Sequence, residues 1–204
     1  MGRIVLGMSV SLDGIAGSSN LDVPGESMAV HEAVLGWQFP LRSWQERQGM
    51  SGGEDTEESR LWAEDFSRWG AQVVGRRMFD FGNPHWGENP PFRVPVVVNT
   101  HRPEAPMEKL GGTTYIFVTG GIEESVRRAR ELAGDRDVLI AGGVQLARQA
   151  LEAGLVDELS LHVAHVVLGH GERFFDAVAT PLRLRPIRTV AGAGATHLSY
   201  DVLR

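Results

Sequence analysis

Several places in the sequence set glycine beside groups suited to holding an anion. Gly75 precedes Arg76 and Arg77, Thr119 precedes Gly120 and Gly121, and Ala141 precedes Gly142, Gly143, Val144 and Gln145. A fourth segment, Asn99-Thr100-His101-Arg102, directly follows an apolar run. Paired glycines let a backbone approach an anion with no Cβ in the way. The planar fork of arginine makes bidentate, charge-assisted contacts with phosphate. A single Gly-Gly serves a structural turn equally well, but together these segments point to a phosphorylated small molecule. A dinucleotide with a 2'-phosphate needs one neutralised site for its pyrophosphate and another for the extra phosphate, and this layout can supply both.

Other chemistries fit less well. No GxGxxG opens a helix after the first strand, and the phosphate loop GxxxxGK[ST] is missing, since Lys109 is the sole lysine. No GxSxG elbow is present for a serine hydrolase. Cys 0 removes thiolate nucleophiles, disulfides and cysteine metal sites, which suits a reducing cytoplasm. His162 and His165 lie three apart on an expected strand and so point to opposite faces. With no HExxH motif, no metal site is expected. The formal net charge of -6 presents a repulsive average field to nucleic acid. No apolar run approaches the ~20 residues of a spanning helix, and MGRIVLGMSV reads as a buried first strand rather than a signal peptide.

The elements that position these residues alternate. RIVLGMSV, 3–10, reads as a strand, and a long glycine-rich loop, SLDGIAGSSNLDVPGES, follows it. One or two short helices fit 29–48, broken at Pro40. Asp55 is placed to cap a helix over 56–69 that Gly70 stops. AQVVG, 71–75, is a strand leading into a helix start, and the prolines of NPHWGENPPF are expected to forbid a helix before the next strand at 93–100. Strand 115–118 feeds the helix IEESVRRARELAG, and strand DVLIA feeds VQLARQALEAG. Two strand-to-helix units in succession imply neighbouring parallel strands. DELSLHVAHVVLG alternates apolar and polar residues over its first half, and PLRLRPIRTVAG pairs naturally with ATHLSYDVLR across a turn at AGAG. The expected product is one α/β domain over 1–204, with a mixed, mainly parallel sheet flanked by helices and antiparallel C-terminal strands. Trp37, Phe39, Trp44, Trp62, Phe66 and Trp69 supply helix packing, a substrate pocket or a dimer face.

Taken in order, MSVSLDGIA, VVGRRMFD, VVVNTHRP and IAGGVQLARQALEAGLVDELSLHVAHVVLGHGERFF resemble the dihydrofolate-reductase-like superfamily, and most nearly its branch related to the reductase domain of bacterial riboflavin biosynthesis. The resemblance implies NADPH as cofactor, with Gly142, Gly143, Val144 and Gln145 cradling the pyrophosphate. It places Gly75, Arg76 and Arg77 against the phosphates, the 2'-phosphate among them. Thr100, His101 and Arg102 fall at the adenosine end, and Ser11 to Gly14 form the loop beside the nicotinamide; Thr119 and Gly120 join the cofactor set from their strand-to-helix turn and not from the resemblance. A homodimer also follows from the resemblance. The sequence departs from dihydrofolate reductases proper, because GESMAVHEAVLGW lacks their Trp-x-x-Pro-x-Asp pattern.

Two carboxylates remain as catalytic candidates. Asp13, at the end of the first strand, is placed to orient the nicotinamide amide or a substrate nitrogen, or else to form the Asp-Gly turn. Glu32 is a helix-face carboxylate that would contact substrate or simply be solvated. The function expected is transfer of a hydride from NADPH to a small heterocyclic or conjugated acceptor, pterin-like or pyrimidine-like. The competing expectation is a non-catalytic module that retains the dinucleotide pocket.

Overall fold

The structure, a computed structural model, describes residues 2–19, 24–176, 178 and 181–203. Residues 20–23 of the long loop expected after the first strand lie outside the described residues. In chain order the elements are β1 (Ile4–Ser11), β2 (Ile15–Gly17), α1 (Pro24–Leu35), α2 (Arg42–Arg47), α3 (Glu57–Arg68), β3 (Trp69–Gly75), α4 (Arg76–Trp86), β4 (Val96–Asn99), β5 (Met107–Glu108), β6 (Thr114–Val118), α5 (Gly121–Ala133), β7 (Asp137–Ile140), α6 (Val144–Glu152), β8 (Glu158–Ala164), β9 (Glu172–Arg173), β10 (Arg183–Ala191) and β11 (Ala195–Leu203). The fold is α/β, with a mixed, mostly parallel sheet, flanking helices and antiparallel C-terminal strands. Among the described residues no helix is long and apolar enough to cross a membrane.

The chain forms two compact units, and β1 contributes residues 4–6 to one and 7–11 to the other. The first unit holds Met1–Leu6 and Asp65–Asp157. Its strands run β1-β7-β3-β4-β6-β5, all parallel except β5. Val73, Val74, Val96, Val97 and Val98 are fully buried, as strands covered on both faces require. The period read from IEESVRRARELAG turns Val126 and Ala129 of α5 inward, and α6 buries Leu146, Ala147 and Ala150 in the same way.

One expectation fails here. The prolines after residue 83 do not forbid a helix, because α4 continues through Pro84 to Trp86. Proline inside a helix costs about 3 kcal/mol through a lost hydrogen bond and a ring clash. The extra turn places the Trp86 ring 4.7 Å from Phe92 and 6.1 Å from Tyr115. Burying large side chains stabilises by about 1.5–3 kcal/mol each, enough for this cluster to offset the break. The Trp86 indole folds back over Gly82, where any Cβ would lie 2.1 Å from it.

The second unit holds Gly7–Glu64 and Glu158–Arg204, with strand order β10-β11-β8-β1. β10 and β11 form the expected hairpin, and β11 pairs antiparallel with β8 as well. Pro186 sits in β10 beside a register shift, which an edge strand tolerates. A small second sheet, β2 with β9, was not anticipated because strands of three and two residues leave no periodicity to read. The start of α3 also differs from expectation. Thr56 Oγ1 accepts the Ser59 N–H at 3.1 Å, while Asp55 pairs instead with Arg42 at 3.1 Å and Arg60 at 3.4 Å. Gly70 does not stop that helix; it already belongs to β3.

Candidate functional site

In the first unit, β7, β3, β4 and β6 are consecutive parallel neighbours, so their carboxyl ends share one edge. From that edge start α6 after Gly143, α4 after Gly75 and α5 after Gly120. The segments expected to gather there do so: Gly75 N–H donates to the Gly142 carbonyl at 2.8 Å. The peptide joining Gly142 and Gly143 is cis, and Gly142 has φ +99. A Cβ built on Gly143 would meet nothing within 4 Å, so the backbone there faces clear space at a helix N-terminus, where unpaired N–H groups and a partial positive charge favour anions. Val144 is buried in the core and Gln145 is exposed, so Val144 presents its backbone rather than its side chain.

Arg76 opens α4 with its side chain 18% exposed, and its guanidinium lies 5.6 Å from the Phe79 ring centroid and 5.8 Å from that of Phe117. Its Nε donates to Asp80 at 2.7 Å, and its Nη1 to Glu104. Arg102 Nη2 donates to the other Asp80 oxygen at 2.6 Å. The Glu104 hydrogen bond, foremost, and then Asp80 raise the Arg76 pKa above its ordinary value against the opposing effect of burial. Thr100 is buried and its Oγ1 accepts the Arg102 N–H at 3.0 Å, which shapes the turn after β4. Arg77 and His101 are exposed. Sequence reasoning missed Asp80 and Glu104. The four-residue spacing of Arg76 and Asp80 on one helix was a readable signal for the first; nothing local marks the second.

The third helix start is less hospitable to phosphate. Thr119 and Gly120 are exposed, and the Glu124 carboxylate folds back onto Gly120. Glu123 and Glu124 both lie in the first turn of α5, so its positive end is already complemented by the chain itself.

In the second unit, Asp13 acts as a brace. Its Oδ1 accepts the Ser11 hydroxyl at 2.7 Å and the Leu168 N–H at 3.1 Å, and its Oδ2 accepts the Gly169 N–H at 2.8 Å. Ser11 in turn accepts the Ile15 N–H at 2.9 Å, and Arg173 donates to the Asp13 carbonyl. The Ser11 hydrogen bond and then the two backbone N–H groups lower the Asp13 pKa to about 2. An ionised carboxylate so engaged is a poor proton donor at neutral pH. Glu32 is exposed on α1.

A buried polar cluster in the same unit also escaped sequence reasoning. His162 and His197 face each other in the β8–β11 register, with Nδ1 atoms 2.8 Å apart, and His197 Nε2 lies 2.8 Å from Glu58 Oε1. Trp37 and Trp62 pack on His162 with centroids 5.0 and 4.9 Å away. His165 lies one residue beyond the end of β8 rather than on it, and is exposed with its Nε2 3.0 Å from Thr196 Oγ1. Among the described residues, no group of three or more His, Asp or Glu is arranged to hold a metal ion.

Comparison with known proteins places this geometry in context. A family profile described as the RibD C-terminal domain matches residues 3–198. The uncharacterized protein YyaP of Bacillus subtilis (strain 168) is 34% identical over 86 residues, 42% of this chain, and the match spans less than half, 45%, of that relative. Among solved structures, a Shewanella sp. PV-4 protein to which a role in riboflavin biosynthesis is attributed superposes with a TM-score of 0.68 at 17% identity, covering 99% of both chains. Acinetobacter baumannii RibD gives 0.61 at 15% identity over 100% of this chain and 59% of its own. Dihydrofolate reductase from Enterococcus faecalis, complexed with NADP(H), gives 0.58 at 16% identity over 98% and 96%. At these identities the structural likeness is one of fold.

Proposed function

The chain belongs to the RibD C-terminal domain family, and from that membership we propose that it is a reductase that uses NADPH to reduce a small heterocyclic or conjugated acceptor, pterin-like or pyrimidine-like. The observation that carries this proposal is the gathering of Gly75, Arg76, Thr100, Arg102, Gly142 and Gly143 along one edge of four parallel strands. Brought together there are an unobstructed helix N-terminus and two arginines one and two strands away, a separation of about 5–10 Å by strand spacing. That suits an extended anion with its pyrophosphate over 142–145 and its 2'-phosphate toward Arg76, Arg77 and Arg102.

NADPH supplies the hydride when bound. The chain's part is to fix the donor and to hold the acceptor in line with it. Asp13, engaged by Leu168 and Gly169, holds the loop over 11–17 against the turn at 168–169. The proton that follows hydride transfer comes from solvent. Absence of cysteine suits a cytoplasmic setting, and a homodimer belongs to the same proposal. The second reading, a ligand-binding module without turnover, draws support from the bound state of Asp13 and the exposure of Glu32.

Loss of reduced-nicotinamide absorbance with a panel of pterins, pyrimidines and quinones tests the proposal. Turnover on one class is expected, whereas tight NADPH binding without turnover on any would favour the module. Replacing Arg76 and Arg77 together by alanine is expected to weaken NADPH roughly ten- to hundredfold while leaving NADH nearly unchanged, since hydrogen bonds between charged groups contribute about 1.5–3 kcal/mol. Equal loss for both nucleotides would remove the 2'-phosphate from this position.

A further inference from the structure

The guanidinium of Arg76 already has anionic partners, and they differ in how freely each can leave. Asp80 lies one helical turn along α4 and binds Arg76 at 2.7 Å and Arg102 at 2.6 Å, so it fixes the position of both forks. Arg76 itself is confined between that carboxylate and the rings of Phe79 and Phe117. Glu104 is held differently. It comes from the proline-flanked segment between β4 and β5, its side chain is 37% exposed, and it meets the Nη1 corner of Arg76 from outside the helix. An anion taking the Nη1 corner of Arg76 replaces Glu104, whereas Asp80 is part of the helix that carries the arginine and stays with it.

Charge gives the consequence. Arg76 and Arg102 are balanced by Asp80 and Glu104, so the four groups together carry no net charge. A dianionic phosphate entering this cluster loses part of the attraction that two bare guanidiniums would offer. A ribose hydroxyl, by contrast, can donate to a carboxylate. We propose that Glu104 is an internal stand-in for the ligand's phosphate and the residue that sets how strongly the site prefers a 2'-phosphorylated dinucleotide to its unphosphorylated counterpart. The role presupposes the dinucleotide site proposed above. Displacing Glu104 makes room for the phosphate; keeping it in place serves the free hydroxyl.

The test is calorimetric titration of the wild-type chain and of Glu104→Gln with NADP+ and with NAD+, with Glu104→Ala as a second variant and circular dichroism to verify that each is folded. Removing the charge while keeping the shape and an amide oxygen that still accepts from the free hydroxyl is expected to tighten NADP+ about five- to tenfold and to leave NAD+ within about twofold, which is roughly 1–1.4 kcal/mol for the phosphorylated ligand. The alanine variant should shift the ratio in the same direction. If NADP+ binds the wild type and both variants equally, Glu104 does not compete with the phosphate and the inference falls while the dinucleotide site stands. If neither nucleotide binds the folded wild type, the site assignment and this inference fall together.

Discussion

Gly143 shows how much can rest on a missing side chain. Apart from its own chain neighbours, nothing lies within 4 Å of its Cβ position, and its φ of -67 lies in a region open to any residue. A substitution there is therefore a probe of what approaches from outside. Gly143→Val is expected to leave the thermal midpoint within a few degrees of wild type and to weaken NADPH at least tenfold by filling the anion's approach. Unchanged affinity in the folded variant would move the pyrophosphate elsewhere. Asp13 shows the converse, since a carboxylate next to glycine in a loop reads equally as a catalytic group or a turn residue. Its hydrogen bonds to Ser11, Leu168 and Gly169 decide for a brace. Those partners lie far along the chain, and no local pattern reveals them.

Three elements meet at the buried histidines. Glu58 comes from α3, His162 from β8 and His197 from β11, with Ser43 and Ser59 adding a hydrogen-bonded contact between α2 and α3 at 3.1 Å. With Glu58 accepting from His197 Nε2, a neutral His197 has its Nδ1 left to accept from His162, so the pair holds one proton between the two rings. Burial first, and then the charge on His197, lower the His162 pKa from 6.5 to about 3. Burial also lowers His197; Glu58 opposes it, while His165 and Arg188 act with it. The folded chain thus refuses a proton that the unfolded chain accepts below pH 6.5, so stability falls as pH drops from there toward about 3. The contribution of this one group has a slope of up to about 1.4 kcal/mol per pH unit. Urea unfolding across that range should show a shallower decline for His162→Gln, which keeps a donor but does not titrate. Parallel curves for the two proteins would refute the coupling.

Across the molecule, each unit is assembled from distant segments, Met1–Leu6 with Asp65–Asp157 in one and Gly7–Glu64 with Glu158–Arg204 in the other, so β1 contributes to both. β10 forms the sheet edge in the second unit, with Leu184 and Ile187 exposed. Arg183, Arg185, Arg188 and Pro186 on the same strand blunt that edge against further pairing, so the homodimer proposal rests on the family membership and not on this strand. Sedimentation equilibrium is expected to give about twice the mass of the chain, and a monomer at micromolar concentration would remove the homodimer from the proposal.

The alternation of strands and helices, the glycine before α4, α5 and α6, the buried valine runs and the C-terminal hairpin were all legible in the linear order of residues, because period, breakers and turn formers act over a few neighbours. The two successive strand-to-helix repeats predicted neighbouring parallel strands, and here the reading fails: β6 and β7 run in one parallel set but are separated by β3 and β4, because strand order is chosen by the packing of the whole sheet. The passage of α4 through Pro84, the pairing of His162 with His197 and Glu58, the brace at Asp13 and the competition of Glu104 for Arg76 were hidden. Each depends on strand order and register bringing distant side chains within hydrogen-bonding or packing reach. A polar residue's own neighbours report that it is polar, whereas the partner that neutralises it is chosen by the folded chain.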